Sequence, residues 1–316
     1  MGQCPSTAPL IILGPTATGK SQLALALARR QPAEIVSLDS MQIYRGMDIG
    51  TAKPTAAERA AVPHHLIDCC APDQPSDAAK FLAQVRAAEQ AIVARGARPI
   101  LVGGTAMYIK ALVDGLCDAP ARQPLVRAQL AEAAQQRGSA HLHNELQRVD
   151  AVAAARIHPN DLRRIVRALE VYQVTGTPLS TQQGQWAAPA ATPYVMVGLT
   201  MAREELYRRI DARVDAMLAA GLVDEVRRLR DAGLEQNPIA SQAIGYKELL
   251  AHLRGECALA TAVELMKRAT RRFAKHQMTW FRKDTRICRH VIPANARVLA
   301  EPCHLMLGET ARGALH

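Results

Sequence analysis

Gly14-Pro15-Thr16-Ala17-Thr18-Gly19-Lys20-Ser21 is the stretch whose residue types and spacing most directly spell out chemistry. Its two glycines bracket a loop whose backbone N–H groups can turn inward around an anion. Lys20 brings a point charge for phosphate oxygens, and the Ser21 hydroxyl is placed to hold a magnesium ion. The four apolar residues before the loop, Leu10-Ile11-Ile12-Leu13, suit a short buried strand. Leu23, Leu25 and Leu27, set among alanines, begin an amphipathic helix whose N-terminus adds partial positive charge. A strand–loop–helix context of this kind makes Gly14 to Ser21 a site for a di- or triphosphate. The loop alone does not say which phosphate it binds, or to what end.

A carboxylate at the end of a neighbouring strand narrows the chemistry. Proteins that hydrolyse ATP on such a loop usually end a later strand in an acidic residue holding the magnesium shell. Here the strand Ile100–Val102 runs instead into Gly103-Gly104-Thr105. The acidic strand end is Asp39, after Glu34–Leu38, where a nucleotide or nucleoside kinase places the base that deprotonates its acceptor. A diphosphate cradle with a carboxylate aimed at a nucleophile is the layout of group transfer. Asp39 also fits a simple loop or helix cap. Thr105 opens a helix after two glycines and reads equally as an N-cap and as a hydroxyl beside the reacting centre. Arg213, within Arg209-Ile210-Asp211-Ala212-Arg213-Val214-Asp215, reads either as a member of i,i+4 pairs or as a second cationic clamp.

Two basic stripes suggest a large anionic partner. Arg268, Arg272, Lys275 and Arg282 fall at i, i+4, i+7 and i+14 on one face of the last long helix. Met266, Phe273 and Trp280 lie opposite and are expected to pack into the core. Arg163, Arg164 and Arg167 share one side of a second helix, with Leu162, Ile165, Val166, Leu169 and Val171 on the other. Two such surfaces around a phosphate cleft point to binding of a nucleic-acid backbone.

The elements that must position these groups follow from the apolar patterning. The chain has 316 residues, 49% of them hydrophobic and 3% aromatic, with 39 Lys+Arg against 29 Asp+Glu and a net charge of +10. Strands separated by helices predict a parallel α/β sheet with helices on both faces. Met41–Thr55 is too irregular for a helix and reads as a functional loop. Ser76 is expected to cap a helix reaching about Arg95. From about 121 to 185 the pattern is helical only, with Asn160 as the expected cap of its last long helix, so an all-helical insertion divides the core into 1–120 and 186–316. Strand and helix patterns resume at Pro193–Leu199, Arg203–Ala220, Leu222–Asp231, Ala243–Arg254, Ala258–Lys283 and Ile287–Val291, and the tail from Ala294 is expected to be loosely attached. The 7 cysteines show no metal-ligand spacing and read as reduced thiols. Neither a leader pattern nor a membrane-span pattern is present, so the expected location is the cytoplasm.

Taken together, these motifs resemble the tRNA dimethylallyltransferases, also called tRNA isopentenyltransferases, over nearly the whole chain. The resemblance is carried by Gly14–Ser21, Asp39–Arg45, Asp48–Pro54, Pro63-His64-His65, Gly103-Gly104-Thr105, Ile157–Asp161, Arg167–Glu170, Gln242–Glu248 and Lys275–Arg282. It implies a core like that of P-loop NTPases, in which the cradle holds dimethylallyl diphosphate. It implies attachment of the C5 group to N6 of adenine 37 in tRNAs that read codons beginning with U, with release of diphosphate. In that setting Asp39, Thr105 and Arg213 would be catalytic, Lys20 would join Arg213 on the leaving diphosphate, and Ser21 would hold Mg2+. It also implies tRNA contacts from Asp39, Ser40, Met41 and Gln42, and from Arg163, Arg164, Ile165, Val166 and Arg167. A third group is Gln242, Ile244, Gly245, Tyr246, Lys247 and Glu248, and a fourth is Phe273, Lys275, His276, Gln277, Trp280 and Arg282. The helical insertion would clasp the anticodon stem-loop, and the enzyme is expected to act as a monomer. Leu162-Arg163 stands where such proteins often have Pro-Gln, and His276 where Arg is common, so the detailed tRNA contacts differ. Three alternatives remain: an adenylate prenyltransferase, a small-molecule kinase, and a non-catalytic RNA-binding GTPase-like module.

Overall fold

The computed structural model describes residues 8–115, 119–120, 122–182 and 192–293. The lead before residue 8, the end of the insertion at 183–185 and the tail from 294 lie outside them. The chain forms two compact units, one from Met1–Lys110 with Thr192–His316 and one from Ala111–Ala191.

The first unit is built on β1 (Leu10–Leu13), β2 (Ala33–Ser37), β3 (His64–His65), β4 (Arg98–Gly103), β5 (Val195–Thr200) and β6 (Cys288–Val291). They pair in parallel in the order β3-β2-β4-β1-β5-β6. All four residues of β1 are buried, as a central strand covered on both faces requires. Period-2 alternation sorts the strands: Leu10, Ile12, Ile100, Val102, Val197 and Leu199 share one core. That core is closed by Leu23 and Leu27 of α1 (Lys20–Ala28), joined from far along the chain by Leu206, Ile210 and Ala274. After the short α2 (Ala56–Ala61), α3 (Ala78–Ala94) packs on β2 and β4 through Phe81, Leu82, Val85 and Ile92. Its cap is Asp77, whose side chain accepts from the Lys80 N–H, one residue later than the expected Ser76. From β1 the chain runs to β2 on one side, and from β4 it crosses β1 to β5 on the other. The carboxyl ends of β1 and β4 therefore flank a switch point, where open parallel sheets hold their ligands.

α4 (Ala106–Asp114) leads from β4 into the second unit. That unit comprises α5 (Pro124–Arg137), α6 (Ser139–Val149), α7 (Ala151–Arg156), α8 (Leu162–Thr175) and the short α9 (Leu179–Gln182). Leu130, Leu142, Leu146, Ile165, Val166 and Leu169 form its core. Asp161 caps α8 by accepting from the Arg164 N–H, one residue after the expected Asn160. Glu170, wholly buried, accepts two hydrogen bonds from Arg127 and one from Arg167, and also takes the Gln123 N–H at 2.7 Å.

After β5 come α10 (Arg203–Ala219), α11 (Leu222–Asp231), α12 (Tyr246–Leu253) and α13 (Leu259–Phe281). α12 starts three residues later than the expected Ala243. A 3-10 turn at Ala240–Gln242 and the positive φ of Gly245 hold the chain out of the helix until Tyr246. Among the described residues Cys69, Cys70, Cys257 and Cys288 are unbridged, and no helix is long and apolar enough to cross a membrane.

Candidate active site

A cavity of about 430 Å³ opens in the first unit beyond the carboxyl ends of the strands. Three strand ends supply its polar side: Thr16, Lys20 and Ser21 after β1, Asp39 to Gln42 after β2, and Gly103 to Thr105 after β4. α10 contributes Ile210, Arg213, Val214 and Met217, and α13 contributes Met266, Thr270, Phe273 and Gln277. The site thus joins an anion-binding rim to an apolar wall.

The cradle is tied down closely. Gly14 approaches β5 so tightly that a Cβ there would lie 2.5 Å from the Leu199 carbonyl oxygen, at a φ of +149°. Within the loop Ala17 adopts a φ of 65°, a left-handed turn of the kind that builds anion nests. Lys20 Nζ donates to the Pro15 carbonyl at 2.7 Å, and Thr18 Oγ1 donates to the same oxygen at 2.8 Å. Burial pulls the Lys20 ammonium down to a pKa of about 7, with the Arg213 charge adding to the effect and Asp39 opposing it. An anion in the loop would offset that penalty by pairing with the ammonium.

Arg213 does not make the i,i+4 pairs of the first of its two readings, because the acids around it are taken by other cations. Arg209 pairs with Glu205, Arg271 takes Asp211, and Lys267 takes Asp215. Arg213 is left with no ion pair among the described residues and lines the cavity. Burial lowers its pKa from the usual arginine value, and Asp39 raises it in turn. Asp39 follows β2; its Oδ1 accepts the Met41 N–H at 2.8 Å. Burial raises its carboxyl pKa, against the pull of the Met41 and Gln42 amides, Lys20 and Arg213. A carboxylate of raised basicity, held in place by a backbone donor, is equipped to accept a proton. Thr105 lines the cavity and its hydroxyl has no hydrogen bond among the described residues, so it faces the site as a free polar group. Ser21, exposed on the first turn of α1, has likewise no hydrogen-bond partner there. Among the described residues no three His, Cys, Asp or Glu gather into a metal cluster. One free hydroxyl fits a magnesium ion whose remaining ligands are phosphate oxygens and water, the usual way this ion binds with phosphates.

The residues expected to meet tRNA divide into distinct groups. Ser40, Met41, Gln42, Gln242, Ile244 and Phe273 line the cavity. Gln42 accepts from the Ser37 hydroxyl at 2.8 Å and donates to the Thr51 carbonyl at 3.1 Å. Phe273 is 41% exposed, which corrects its expected place in the core. Lys275, His276 and Arg282 are exposed, as are Arg268 and Arg272, and none of these five has an ion pair among the described residues. Trp280 is half-buried, edge-on to Phe281 with ring centroids 5.4 Å apart. In the helical unit Arg163 and Arg164 are exposed. Ile165 and Val166 are buried in that unit's core, so their side chains are not available to RNA. Arg167 is committed to Glu170 and to the Pro120 carbonyl. Lys247 is exposed, whereas Glu248 caps α12 by accepting the Gly245 N–H at 2.7 Å.

Tyr246 is fully buried and donates to Glu225 Oε1 at 2.6 Å, so its hydroxyl is structural. Glu225 was not evident from sequence. Its carboxylate, 2% exposed, accepts the N–H groups of Asp48, Ile49 and Gly50 at 3.1, 2.7 and 3.2 Å. It thereby pins residues 48–50, and Gly50, with Thr51 and Ala52 directly after it, forms one wall of the cavity. The signal was an acidic residue on the apolar face of α11, beside Leu222, Val226 and Leu229.

Comparison with known proteins bears on the family of the chain. The IPP transferase family profile matches residues 42–284, and the Isopentenyl transferase profile matches residues 8–71. The chain is 50% identical over 288 residues to a tRNA dimethylallyltransferase of Geobacter sulfurreducens, covering 90% of this chain and 92% of that one. It is 51% identical over 284 residues to the one of Moorella thermoacetica, covering 87% of each. Among solved structures, the tRNA isopentenylpyrophosphate transferase of Bacillus halodurans aligns at a TM-score of 0.69 and 39% identity, over 95% and 94% of the two chains. A eukaryotic dimethylallyltransferase caught acting on tRNA aligns at a TM-score of 0.77 and 28% identity, over 94% and 77%. A P-loop-like parallel sheet, a cationic cradle facing a buried carboxylate, and this breadth of similarity lead to one conclusion: the chain belongs to the IPP transferase family.

Proposed function

We propose that this protein transfers the dimethylallyl group of dimethylallyl diphosphate to N6 of adenine 37 in tRNAs that read codons beginning with U. The observation that carries the reading is the meeting of Lys20, Arg213, Asp39 and an apolar wall in one cavity. An allylic diphosphate ionises toward a delocalised cation, so most of the catalytic demand is on stabilising the departing anion. The loop amides, Lys20 and Arg213 answer that demand. The apolar side chains Ile210, Val214, Met217 and Met266 suit a short hydrocarbon.

In the transfer, the C1–O bond of the donor breaks and its electron pair leaves with diphosphate. The N6–C1 bond forms from the adenine lone pair, and Asp39 accepts the proton that N6 must shed. Thr105 offers its free hydroxyl to the same centre. Ser21 would hold a magnesium ion, which supplies neutralisation of the diphosphate charge. A base stacked in the anticodon loop must be extruded to enter such a cavity. Arg268, Arg272 and Lys275 of α13, with Arg282 just past its end, form the phosphate-binding stripe. On α8, Arg163 is the exposed cation without an ion pair among the described residues, while Arg164 pairs with Asp161 at 3.2 Å. We place the reaction in the cytoplasm, carried out by a monomer.

Incubation with labelled dimethylallyl diphosphate and either tRNA or AMP tests the proposal. Label is expected on tRNA alone. Label on AMP alone, or transfer of phosphate from ATP, rejects it.

A further inference from the structure

Gln277 is the residue whose expected role and observed contacts diverge most. It stands on α13 two residues beyond Lys275, yet it is 4% exposed. Its carboxamide is engaged at both its oxygen and its nitrogen, with two distant segments. Oε1 accepts the Thr16 N–H at 3.0 Å, and Nε2 donates to the Gly104 carbonyl at 2.8 Å. Thr16 belongs to the phosphate loop after β1, and Gly104 directly precedes Thr105 after β4. The fit leaves no space: a Cβ on Gly104 would stand 2.3 Å from Nε2.

We propose that Gln277 is a positioning residue for the diphosphate donor and not an RNA contact. It locks the first half of the cradle against the β4 turn, so the loop amides and the Thr105 hydroxyl are held in one arrangement before the donor arrives. Preorganisation of this kind matters because an anion cradle works through dipoles that need not reorganise when the ligand binds. The inner face of α13 thereby positions the donor, while its outer face carries the exposed cations Arg268, Arg272 and Lys275. The inference rests on the prenyl-transfer reading for what the donor is, and on the loop geometry alone for the reading of the cradle as a diphosphate site.

The test compares Gln277→Met, which keeps the length and removes both hydrogen bonds, with Gly104→Ala. The second variant leaves the glutamine in place and drives a methyl group into its amide. Five quantities are read for each: affinity for inorganic pyrophosphate by calorimetry, donor KM and kcat with tRNA, tRNA Kd, and the melting temperature. Both variants are expected to weaken pyrophosphate binding and raise donor KM on the order of 10- to 100-fold, the cost of orphaning a buried donor and acceptor. tRNA Kd should stay within a few-fold. Because both changes act on the Gln277 amide, the double variant should be no worse than Gly104→Ala alone. Weakened tRNA binding with pyrophosphate affinity intact would overturn the proposal in favour of an RNA contact. A lowered melting temperature with unchanged pyrophosphate affinity and donor KM would overturn it in favour of a purely structural role. If Gln277→Met does not fold, Gln277→Asn, too short to span Thr16 and Gly104 together, takes its place, because the Gly104→Ala methyl also stands 3.1 Å from the Gly14 carbonyl oxygen. Pyrophosphate binding needs no turnover, so a wild-type protein that binds it but transfers no prenyl group would count against the functional proposal and not against this one.

Discussion

Replacing Asp39 with Asn is the perturbation that reaches furthest into the mechanism. Asparagine keeps an oxygen to accept the Met41 N–H, so the turn after β2 retains this bond, 2.8 Å long. What it removes is basicity. Loss of a positioned general base typically costs about 10²–10⁴ in rate, or about 3–5 kcal/mol of barrier at 1.36 kcal/mol per decade. The site geometry adds two further expectations. Burial raises the Asp39 carboxyl pKa, so the ionised form is disfavoured in the folded protein relative to the unfolded one. At neutral pH the charged carboxylate therefore costs stability, and Asp39→Asn should melt at or above the wild-type temperature. The reactive form is the carboxylate, so wild-type kcat/KM should rise with pH through that raised pKa, and the variant should lose this acidic limb. Single-turnover rates with labelled donor, tRNA binding by filter retention and thermal melts provide the readout. A drop of two to four decades in rate, with tRNA affinity within a few-fold and no loss of stability, is expected. Unchanged turnover would remove Asp39 from the mechanism, and equal loss of turnover and stability would make it a structural cap.

Other perturbations probe separate parts of the account. Lys275→Ala should flatten the dependence of log K for tRNA on log salt by about one unit and leave pyrophosphate affinity unchanged, as loss of one phosphate contact does; an unaltered slope would take this lysine off the RNA path. In Glu225→Gln one carboxylate oxygen becomes an amide group facing the Gly50 N–H, orphaning a buried donor at a cost of about 1–3 kcal/mol. That should lower the melting temperature by a few degrees and raise donor KM, because the 48–50 wall loosens; a neutral outcome would show that the loop holds itself. In the helical unit, burial alone would raise the Glu170 pKa, but Arg127, Arg167 and the Gln123 N–H more than reverse this, holding it at about 2 against an ordinary 4.5. A depressed carboxylate stabilises the fold fully above the unfolded value. The unit should therefore lose about 3 kcal/mol as pH falls from about 4.5 toward 2. Hydrogen exchange of peptides within residues 124–175 should show that loss in the wild type and a much weaker pH dependence in Glu170→Gln.

What could be read from the chain was whatever depends on near neighbours. The β1–loop–α1 unit is a local pattern, and glycines at positive φ, Gly138 and Gly176, are the local stop signals of their helices. Caps were harder, because Ser76 and Asp77, or Asn160 and Asp161, are adjacent candidates whose choice depends on one residue of phase. Contacts between distant segments left little trace. The Thr16–Gln277 bond spans 261 positions, and the Ile49–Glu225 bond spans 176. A glutamine on a basic helix or a glutamate on an amphipathic one has the composition of a solvated face, and only the tertiary fold turns either inward. The same reason hid Phe273: a phenylalanine opposite a cationic stripe reads as core, whereas the cavity at that end of α13 leaves its ring 41% exposed. Of the three Arg163–Arg167 cations, only the fold could tell that Arg167 is spent on Glu170.

The central claim is that a cradle built for a nucleotide's phosphates here pulls diphosphate from a five-carbon unit while Asp39 prepares an RNA amine. Mass analysis of nucleosides from tRNA incubated with the protein, dimethylallyl diphosphate and Mg2+ tests it most directly. The account predicts one C5 unit added to the adenosine immediately 3′ of the anticodon, with one diphosphate released per unit transferred. Unmodified tRNA, together with ATP bound in preference to the prenyl donor and phosphate passed to an acceptor, would contradict it.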